Sequence, residues 1–385
     1  MLRLLDGNAA ASYGAKLART QIVSATPITP ASEIAEHLIR FIEAGELRAE
    51  FVVPEGEHST MVICMGASMT GARVFTATAS QGLAYMHEPL HFAAGGRLPI
   101  VMAVPNRSIA LPWCNYPDHQ IVVAQRDTGW IQLHCENAQE VLDTCIQAFR
   151  IAEDPRVLLP VMVCFDGWTV SLHHEGVDIP PQDEVDAYLP AYTSQHCVLD
   201  PDKPKTVGAG ADALLYMQYR RQMEEAMDAA RAVIKTTDEE FRVRFGRSYG
   251  GMLDQYRCED AAVVLVGMGA LAEAARAAAD ELRLEGAPVG VARIRSYRPF
   301  PHAELRALGE RVEAIAVVDR SSSPGLGGPL ASEVRAVLSG LPRSPQVYGF
   351  VAGLGGHEIS VAHLRKALSS VSIATGPASE DQWLW

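Results

Sequence analysis

The amino-acid sequence predicts an α/β protein whose parallel sheets are covered by helices. Segments 72–80, 98–106 and 156–166 are mainly apolar, and segments with a helical spacing of apolar residues lie between them. Strands that bury both faces and alternate with helices are typical of a parallel sheet. The 385 residues leave room for two or three domains, at about 150 residues per domain.

The first half alternates predicted helices with predicted strands. Ile34, Leu38 and Ile42 recur at helical spacing, which indicates an amphipathic helix. Parallel sheets bind ligands at the carboxyl ends of their strands, so we expect a site in the loops that follow the strands. The predicted helices are 31–47, 57–71, 81–94 and 137–152, and the predicted strands are 51–55, 72–80, 98–106 and 156–166.

A change of composition separates this half from a second α/β unit. Segment 172–205 is rich in Pro and Asp, which predicts an extended crossing and a linker, and a long charged helix is predicted over 217–241. We therefore predict one domain over 1–240, including the linker, and another over 255–385. In the second unit the predicted strands are 261–267, 288–297, 314–320 and 345–351, and the predicted helices are 270–286, 302–312, 329–340 and 359–370.

Charge and hydropathy exclude several classes of protein. The chain has 33 Lys and Arg against 46 Asp and Glu, a formal net charge of −13. This argues against nucleic acid as the main partner, because phosphate binding needs a basic surface. No apolar run reaches the roughly 20 residues of a membrane span, so no membrane association is expected. The first residues contain no apolar signal segment before Asp6, so a cytoplasmic location is expected.

The cysteines do not form a metal-binding pattern. Their number is odd, their spacing is wide, and no Cys-x-x-Cys occurs. A disulfide framework, a metal site or an iron–sulfur cluster held by this chain alone is therefore not expected. Small buried apolar side chains are the expected role. The seven cysteines are at positions 64, 114, 135, 145, 164, 197 and 258.

A glycine-containing turn follows the first strand of the second unit. Gly267, Gly269 and Ala272 have the spacing of a dinucleotide-binding turn, Gly-x-Gly-x-x-Ala. The next strand ends with arginines such as Arg293 and Arg295, where that motif needs an acid for the ribose. The pattern therefore favours a tight strand-to-helix turn without a ligand, with nucleotide binding as the alternative.

Segment 24–33, SATPITPASE, places two prolines around the start of a helix. Pro30 suits the first helical turn, where its missing N–H costs nothing, and Thr29 would then be the N-cap. Free backbone N–H groups beside Thr29 would favour an anion. The alternative is a helix cap with no ligand.

Segment 52–62, VVPEGEHSTMV, carries Glu55, Glu57 and His58 where a strand meets a helix. A carboxylate that enters an apolar helix is costly to bury unless a partner pairs with it. This indicates a catalytic or cofactor-binding glutamate. The alternative is an acid that the helix dipole alone favours.

Segment 103–130 is a buried strand followed by a long polar and aromatic loop. Arg107 directly follows the strand, and its guanidinium could bind a carboxylate through paired hydrogen bonds. A structural arginine is the alternative. Asp118, His119, Arg126 and Asp127 lie farther along the loop.

Together these segments resemble the α subunit of the 2-oxoacid:acceptor oxidoreductases, especially the pyruvate:ferredoxin oxidoreductase type. The resemblance covers nearly the whole chain, and it depends on the order and spacing of its motifs. The segments that carry it are GNAAASYGAKLART, PITPASEIAEHL, PEGEHSTMVICMGAS, TATASQGLAYMHEPLHFAAGGRLPIVMAVPNR, DHQ, QRDTGWIQ, VLLPVMVCFDGW, RSYRPFP, VVDRSSSPGLGGPL and VAGLGGHEI.

The resemblance implies a fold and an activity. It implies a doubly wound parallel-sheet domain of the thiamine diphosphate pyrimidine-binding type, followed by a transketolase C-terminal-like α/β domain. The implied reaction is oxidative decarboxylation of a 2-oxoacid to acyl-CoA and CO₂, with coenzyme A as co-substrate and ferredoxin or a similar acceptor taking the electrons. Glu57 matches the glutamate that binds the aminopyrimidine ring and serves in catalysis, and Pro27 is a second cofactor contact. Thr29 and Arg107 match the residues that hold the substrate oxo group and carboxylate.

The resemblance also implies partner subunits. The sequence contains no Gly-Asp-Gly motif for diphosphate and Mg²⁺ and no cluster-binding cysteine motif. A β subunit is therefore expected to supply the diphosphate–Mg²⁺ site and a 4Fe–4S cluster, a ferredoxin-like δ subunit further clusters, and a γ subunit the rest of the assembly. The chain itself is expected to hold no metal.

Two positions depart from the family pattern. Thr26 stands where the family commonly has Tyr, and His357-Glu358 stands where it commonly has Arg-Asp. The smaller Thr26 could widen the substrate pocket. Pyruvate is the favoured substrate. The alternatives are an aryl or other bulky 2-oxoacid, such as phenylglyoxylate, and also oxalate or 2-oxoglutarate. A non-catalytic scaffold and a nucleotide-binding subunit are alternatives of another class.

Overall fold

The computed structural model describes residues 1–194, 198–372 and 380–385. The strands are β1 (Leu2–Leu5), β2 (Ile22–Ser24), β3 (Glu50–Val52), β4 (Val74–Ala77), β5 (Val101–Asn106), β6 (Ile131–His134), β7 (Val161–Asp166), β8 (Glu175–Asp178), β9 (Leu253–Tyr256), β10 (Val263–Gly267), β11 (Val289–Ile294), β12 (Ser296–Arg298), β13 (Ala314–Asp319), β14 (Gln346–Val351) and β15 (Gln382–Trp383).

Helices connect and cover these strands. A 3₁₀ turn at Leu354–Gly356 precedes the last of them. The helices are α1 (Gly7–Leu17), α2 (Ser32–Glu43), α3 (Glu57–Met69), α4 (Ser80–Tyr85), α5 (His87–Gly95), α6 (Gln120–Ala124), α7 (Ala138–Ala152), α8 (Gln182–Tyr188), α9 (Ala213–Phe245), α10 (Leu271–Leu284), α11 (His302–Gly309), α12 (Pro329–Leu338) and α13 (Val361–Ser372).

The first sheet has the strand order β12-β6-β7-β5-β4-β2-β3 among the described residues. Every pair in it is parallel except β12 with β6. The central strands β5 and β7 are buried at all their positions, because helices cover both of their faces. The predicted helix-covered parallel sheet is confirmed.

The second sheet has the strand order β15-β14-β13-β10-β11-β9, again among the described residues. Only β9 runs antiparallel to its neighbour here. The short edge strand β12 comes from this half of the chain and pairs with β6 of the first sheet. The chain therefore crosses back between the two α/β units, and the division into 1–240 and 255–385 stays a prediction.

Some helix boundaries differ from the prediction. The segment 81–94 is two helices, α4 and α5, with Met86 between them. Pro89 has no N–H to donate to the carbonyl of Tyr85, so one continuous helix cannot keep its hydrogen bonds there. The charged helix α9 is longer than predicted, and its first ten residues are exposed.

Buried ion pairs join the two units. Arg293 of β11 and Arg295, which directly follows that strand, both reach Glu140 of α7. Arg293 Nη1 lies 2.8 Å and Arg295 Nε 3.2 Å from that carboxylate. Removing one partner of a buried pair leaves an uncompensated charge, so these arginines hold the halves together.

The described cysteines are mostly buried, as predicted. Cys64, Cys135, Cys145, Cys164 and Cys258 are buried, whereas Cys114 is half-buried. The remaining cysteine, at position 197, lies outside the described residues. Among the helices that the structure describes, none has the length and apolar character that crossing a bilayer requires.

Candidate active site

The predicted site residues lie in loops that follow neighbouring parallel strands. Thr29 comes after β2, Glu57 after β3 and Arg107 after β5, and the strand order here is β5-β4-β2-β3. Because the carboxyl ends of parallel strands meet at one edge of a sheet, these residues share that edge. Pro27 is exposed in the same loop as Thr29.

Arg107 is a buried cation without a carboxylate partner among the described residues. Only 6% of the surface of Arg107 is exposed to solvent. Nη1 donates to the carbonyl of Thr29 at 2.7 Å, and Nη2 donates to Oε1 of Gln81. Nε is buried and has no partner among the described atoms. Burial lowers the pKa of Arg107, because the charged form loses water. Such a group is a natural binding site for an anion.

Thr29 does not cap helix α2, so that prediction is wrong. The helix begins at Ser32, and Ala31 is its N-cap without a side-chain hydrogen bond. If the helix began earlier, the carbonyls of Thr29 and Pro30 would accept hydrogen bonds within it. Instead, the Thr29 carbonyl accepts from Arg107 and the Pro30 carbonyl accepts from Nδ2 of Asn8. The Thr29 side chain is left exposed at the edge of the sheet.

Glu57 begins α3, and its carboxylate has no hydrogen bond or ion pair among the described residues. The neighbouring candidates differ: Glu55 accepts from the hydroxyl of Ser59, and His58 pairs with Glu88 at 2.8 Å. Of the carboxylates predicted for this segment, Glu57 is therefore the one that remains open to a ligand.

Helix α4 connects Glu57 with Arg107. A β-carbon at Gly82 would lie 2.8 Å from Glu57 Oε1 and closer still to Thr78 Oγ1, so only glycine fits against that carboxylate. The residue before it, Gln81, accepts the hydrogen bond from Arg107. The two predicted functional groups thus contact successive residues of one short helix.

Sequence reasoning missed Gln81, and it noted Asn106 only as the residue before Arg107. Both lie where a buried strand ends, which is the signal that could have found them. Thr78 Oγ1, Gln81 Nε2 and both polar side-chain atoms of Asn106 are buried without partners among the described atoms. Buried polar atoms are normally paired, so such a group at the carboxyl edge of a sheet indicates a ligand site.

The other polar residues of the long loop join the two halves of the chain. The backbone N–H of His119 donates to the carbonyl of Arg320 at 2.8 Å, Arg126 pairs with Glu333 at 3.3 Å, and Asp118 accepts from the backbone N–H of Gly355. Within the first half, His119 Nε2 also bonds Asp166 at 2.7 Å. They build an interface within the chain rather than the site around Arg107.

The glycine-containing turn of the second half is filled by the protein's own carboxylate. Asp166, at the end of β7, accepts from the backbone N–H of Ala270 at 3.0 Å and from Arg320 Nη1 at 2.8 Å. A β-carbon at Gly269 would lie 3.1 Å from Asp166 Oδ2 and 3.2 Å from His119 Nε2. Burial alone would raise the pKa of Asp166, but Arg320 and His119 hold it below its usual range. The turn therefore binds an internal anion, which favours a tight turn over a nucleotide site.

His134 is a buried histidine beside this network, and it should make the protein sensitive to acid. Its ring lies 5.3 Å from that of His119, and both of its nitrogens lack partners among the described atoms. Burial, His119 and Arg293 lower the pKa of His134 to about 3, although Asp166 opposes this. Below a pH of about 6.5, His134 is protonated in the unfolded chain, whereas in the folded chain it stays neutral down to a pH of about 3. The folded state therefore loses stability relative to the unfolded state as the pH falls.

Between pH 7 and pH 5 we expect this histidine to remove about 2 kcal/mol of stability. Urea unfolding of the wild-type chain and of His134→Phe at both pH values measures the effect. The phenylalanine variant should lose that much less on acidification. An identical loss in both proteins would show that His134 does not contribute.

Two family descriptions match this chain. Residues 13–239 match "Pyruvate flavodoxin/ferredoxin oxidoreductase, thiamine diP-bdg", and residues 261–364 match "Pyruvate:ferredoxin oxidoreductase core domain II". The first match includes Pro27, Thr29, Glu57 and Arg107.

Curated relatives match over almost their whole length. The chain is 43% identical over 366 residues to pyruvate synthase subunit PorA of Methanothermobacter thermautotrophicus, covering 95% of this chain and 94% of that one. It is also 43% identical over 363 residues to ketoisovalerate oxidoreductase subunit VorA of Pyrococcus horikoshii, covering 94% and 92%.

Solved structures share the fold. A 2-oxoglutarate:ferredoxin oxidoreductase from Magnetococcus marinus superposes with a TM-score of 0.72 at 18% identity, covering 96% of this chain and 65% of that one. A split-gene transketolase superposes with a TM-score of 0.52 at 15% identity, covering 94% and 97%. The predicted combination of a thiamine-enzyme pyrimidine-type domain with a transketolase C-terminal-like domain is confirmed. The chain belongs to the pyruvate flavodoxin/ferredoxin oxidoreductase family, as an α subunit of a 2-oxoacid:ferredoxin oxidoreductase.

Proposed function

We propose that the chain acts, within a multisubunit complex, in the thiamine diphosphate-dependent oxidative decarboxylation of a 2-oxoacid to acyl-CoA and CO₂. Electrons pass through iron–sulfur clusters of partner subunits to ferredoxin or a similar acceptor. The observation that carries the proposal is the buried guanidinium of Arg107, which has no carboxylate partner among the described residues. A 2-oxoacid supplies that carboxylate.

Arg107 and Thr29 bind the substrate in this proposal. The hydrogen bonds from Nη1 and Nη2 hold the guanidinium in one orientation, and its remaining N–H groups face the substrate carboxylate. Thr29, whose carbonyl Arg107 contacts, is exposed, and we assign its hydroxyl to donate to the oxo group. Pro27, two residues earlier, is exposed for contact with the cofactor.

The residues around Glu57 fit the aminopyrimidine part of thiamine diphosphate. An unpaired carboxylate at a helix start can accept a hydrogen bond from an N–H of that ring, and Gly82 lets this carboxylate lie against α4. When bound, the cofactor would supply an acidic carbon that becomes a nucleophile on losing its proton, and a conjugated ring able to take up the electron pair left by CO₂. Glu57 holds the proton at the aminopyrimidine nitrogen and so serves as the catalytic acid–base group.

Partner subunits complete the site in this proposal. Val53 and Tyr85 are exposed near the start of α3, where the Tyr85 and His58 rings are 6.0 Å apart, and Phe92 is exposed on the neighbouring helix α5. Exposed apolar side chains beside an open catalytic group favour a partner that covers them. We assign the diphosphate–Mg²⁺ site and a 4Fe–4S cluster to a β subunit, further clusters to a ferredoxin-like δ subunit, and completion of the assembly to a γ subunit.

Pyruvate is the proposed substrate, and a bulkier 2-oxoacid is the second candidate. The relatives include a pyruvate synthase subunit and a ketoisovalerate oxidoreductase subunit at equal identity. Thr26, whose hydroxyl lies 2.9 Å from that of Thr60 on α3, favours the second candidate. It stands where the family commonly has tyrosine, and the smaller side chain would leave room for a bulkier substrate. Aryl 2-oxoacids, oxalate and 2-oxoglutarate complete the set to be tested.

Turnover of the purified complex with coenzyme A and a redox dye tests this function. Across a panel of those 2-oxoacids, pyruvate should give the highest kcat/KM. A higher value for a branched or aryl acid would replace pyruvate by that substrate. No turnover of any 2-oxoacid by a fully loaded complex would leave the scaffold hypothesis instead.

The chain purified alone is expected to bind thiamine diphosphate poorly. Most of the cofactor's charge is on its diphosphate, whose Mg²⁺ site we assign to a partner. Calorimetric titration with and without Mg²⁺ measures this, with the assembled complex as the control. Tight, Mg²⁺-dependent binding to the isolated chain would contradict the assignment.

A further inference from the structure

We propose that Gln81 contacts the substrate directly, donating from its side-chain amide to an oxygen of the 2-oxoacid beside Arg107. This inference rests on the proposed function and adds a residue that determines which substrates bind.

The orientation of the Gln81 amide is determined by its neighbours. Arg107 Nη2 bonds one end of the amide, and an arginine can only donate, so that end must be the oxygen Oε1. The Ser80 hydroxyl also lies 2.6 Å from Oε1. The amide nitrogen Nε2 is therefore the end that does not contact Arg107, and it cannot exchange places with the oxygen.

The amide nitrogen is a donor without an acceptor. Nε2 of Gln81 is buried, and it has no partner among the described atoms; the same holds for Nε of Arg107. Leaving buried donors unpaired is unfavourable, and a ligand with acceptor oxygens removes that cost. A 2-oxoacid carries acceptor oxygens at both its carboxylate and its oxo group, which matches donors from these two neighbouring side chains.

The backbone holds Gln81 in place. Ser80 has a φ of 47°, a left-handed conformation that non-glycine residues seldom adopt. Its buried hydroxyl reaches the carbonyl of Ser108, the residue after Arg107. Gln81 is thus tied to the arginine through both its side chain and the preceding residue, as a preorganised binding group requires.

Gln81→Glu in the purified complex separates the donor role from the positioning of Arg107. The glutamate keeps an acceptor toward Arg107 and Ser80, but it places an anion where the amide donor was. We expect KM for the 2-oxoacid to rise about a hundredfold, with kcat changed much less and the melting temperature of the complex retained. Gln81→Met, which is uncharged, should raise KM about tenfold. If the glutamate variant does not assemble, KM of the methionine variant tests whether Gln81 contacts the substrate.

Gln255→Glu is the matched control, because Oε1 of Gln255, an exposed residue of the edge strand β9, also accepts from an arginine, Arg311, at 3.2 Å. It should leave KM unchanged. An unchanged KM in the Gln81 variants, or a loss confined to kcat, would overturn the role of Gln81 while the proposed function stands. Absence of 2-oxoacid turnover by the wild-type complex would instead reject the proposed function.

Discussion

Arg107→Ala is expected to raise KM for the 2-oxoacid by more than a hundredfold in the assembled complex. The substrate carboxylate would enter a buried site that has lost the guanidinium assigned to bind it. A hydrogen bond to a charged group contributes about 1.5–3 kcal/mol, and about 1.4 kcal/mol is a tenfold change in affinity. Losing more than one such bond gives the expected size of the effect.

Arg107→Lys should raise KM about ten- to a hundredfold, although it retains the charge. A lysine ammonium cannot contact the Thr29 carbonyl, Gln81 and a carboxylate together with planar geometry. Steady-state kinetics over a range of substrate concentrations separates KM from kcat, and thermal melting of the same samples reports on folding. The loop loses at most two hydrogen bonds to a charged group, of about 1.5–3 kcal/mol each, so a moderate fall in the melting temperature is expected.

Arg97→Lys is the matched control for this change. Arg97 is also partly buried and donates to backbone carbonyls, those of Val157 and Leu158, but it precedes β5 at the opposite edge of the sheet. Its substitution should leave KM unchanged. If Arg107→Ala unfolds the subunit while the surviving complex has a normal KM, Arg107 is structural and the substrate binds elsewhere.

Glu57→Gln is expected to lower kcat by at least about a hundredfold while leaving the complex assembled. The usual contribution of a positioned proton-transfer group is about a hundredfold or more, and an amide cannot take or return a proton. The carboxylate has no partner among the described residues, so its neutralisation breaks no ion pair within the chain. Single-turnover kinetics on complexes saturated with thiamine diphosphate measure the step directly.

Glu55→Gln serves as the control for Glu57. Glu55 lies two residues earlier, is exposed, and accepts only from the Ser59 hydroxyl among the described residues. Its substitution should leave kcat unchanged. Near-normal turnover in Glu57→Gln would show that another group activates the cofactor.

Several features could be predicted from the sequence because their causes are local. Strands β5 and β7 are apolar at nearly every position, which by itself implies burial on both faces. Arg107 directly follows β5 and Glu57 begins the helix after β3, and the sheet edge that collects such residues is a property of parallel topology. Their roles stay predictions for the substitutions above to test.

Other features depend on residues far apart in the chain. No local pattern indicates that Asp166 fills the turn at Gly269, because the two are brought together only when the halves pack. The same holds for β12, which leaves its own unit to pair with β6. The expected capping role of Thr29 failed for the same reason. Arg107, from a loop distant in the sequence, donates a hydrogen bond to the Thr29 carbonyl.

The sequence alone determined the helix-covered parallel sheets and the place of Glu57 and Arg107 in loops after strands, because burial and strand ends are read from neighbouring residues. The family followed from the resemblance of its motifs. Only the tertiary structure decided which polar groups are already paired within the chain and which remain open. Asp166 is satisfied by Arg320 and Ala270, whereas the buried Nε of Arg107 and Nε2 of Gln81 are without partners among the described atoms. A buried polar atom is stabilised by a hydrogen bond to any suitable partner that packing brings close to it. That partner can lie far away in the sequence, so neighbouring residues do not reveal it.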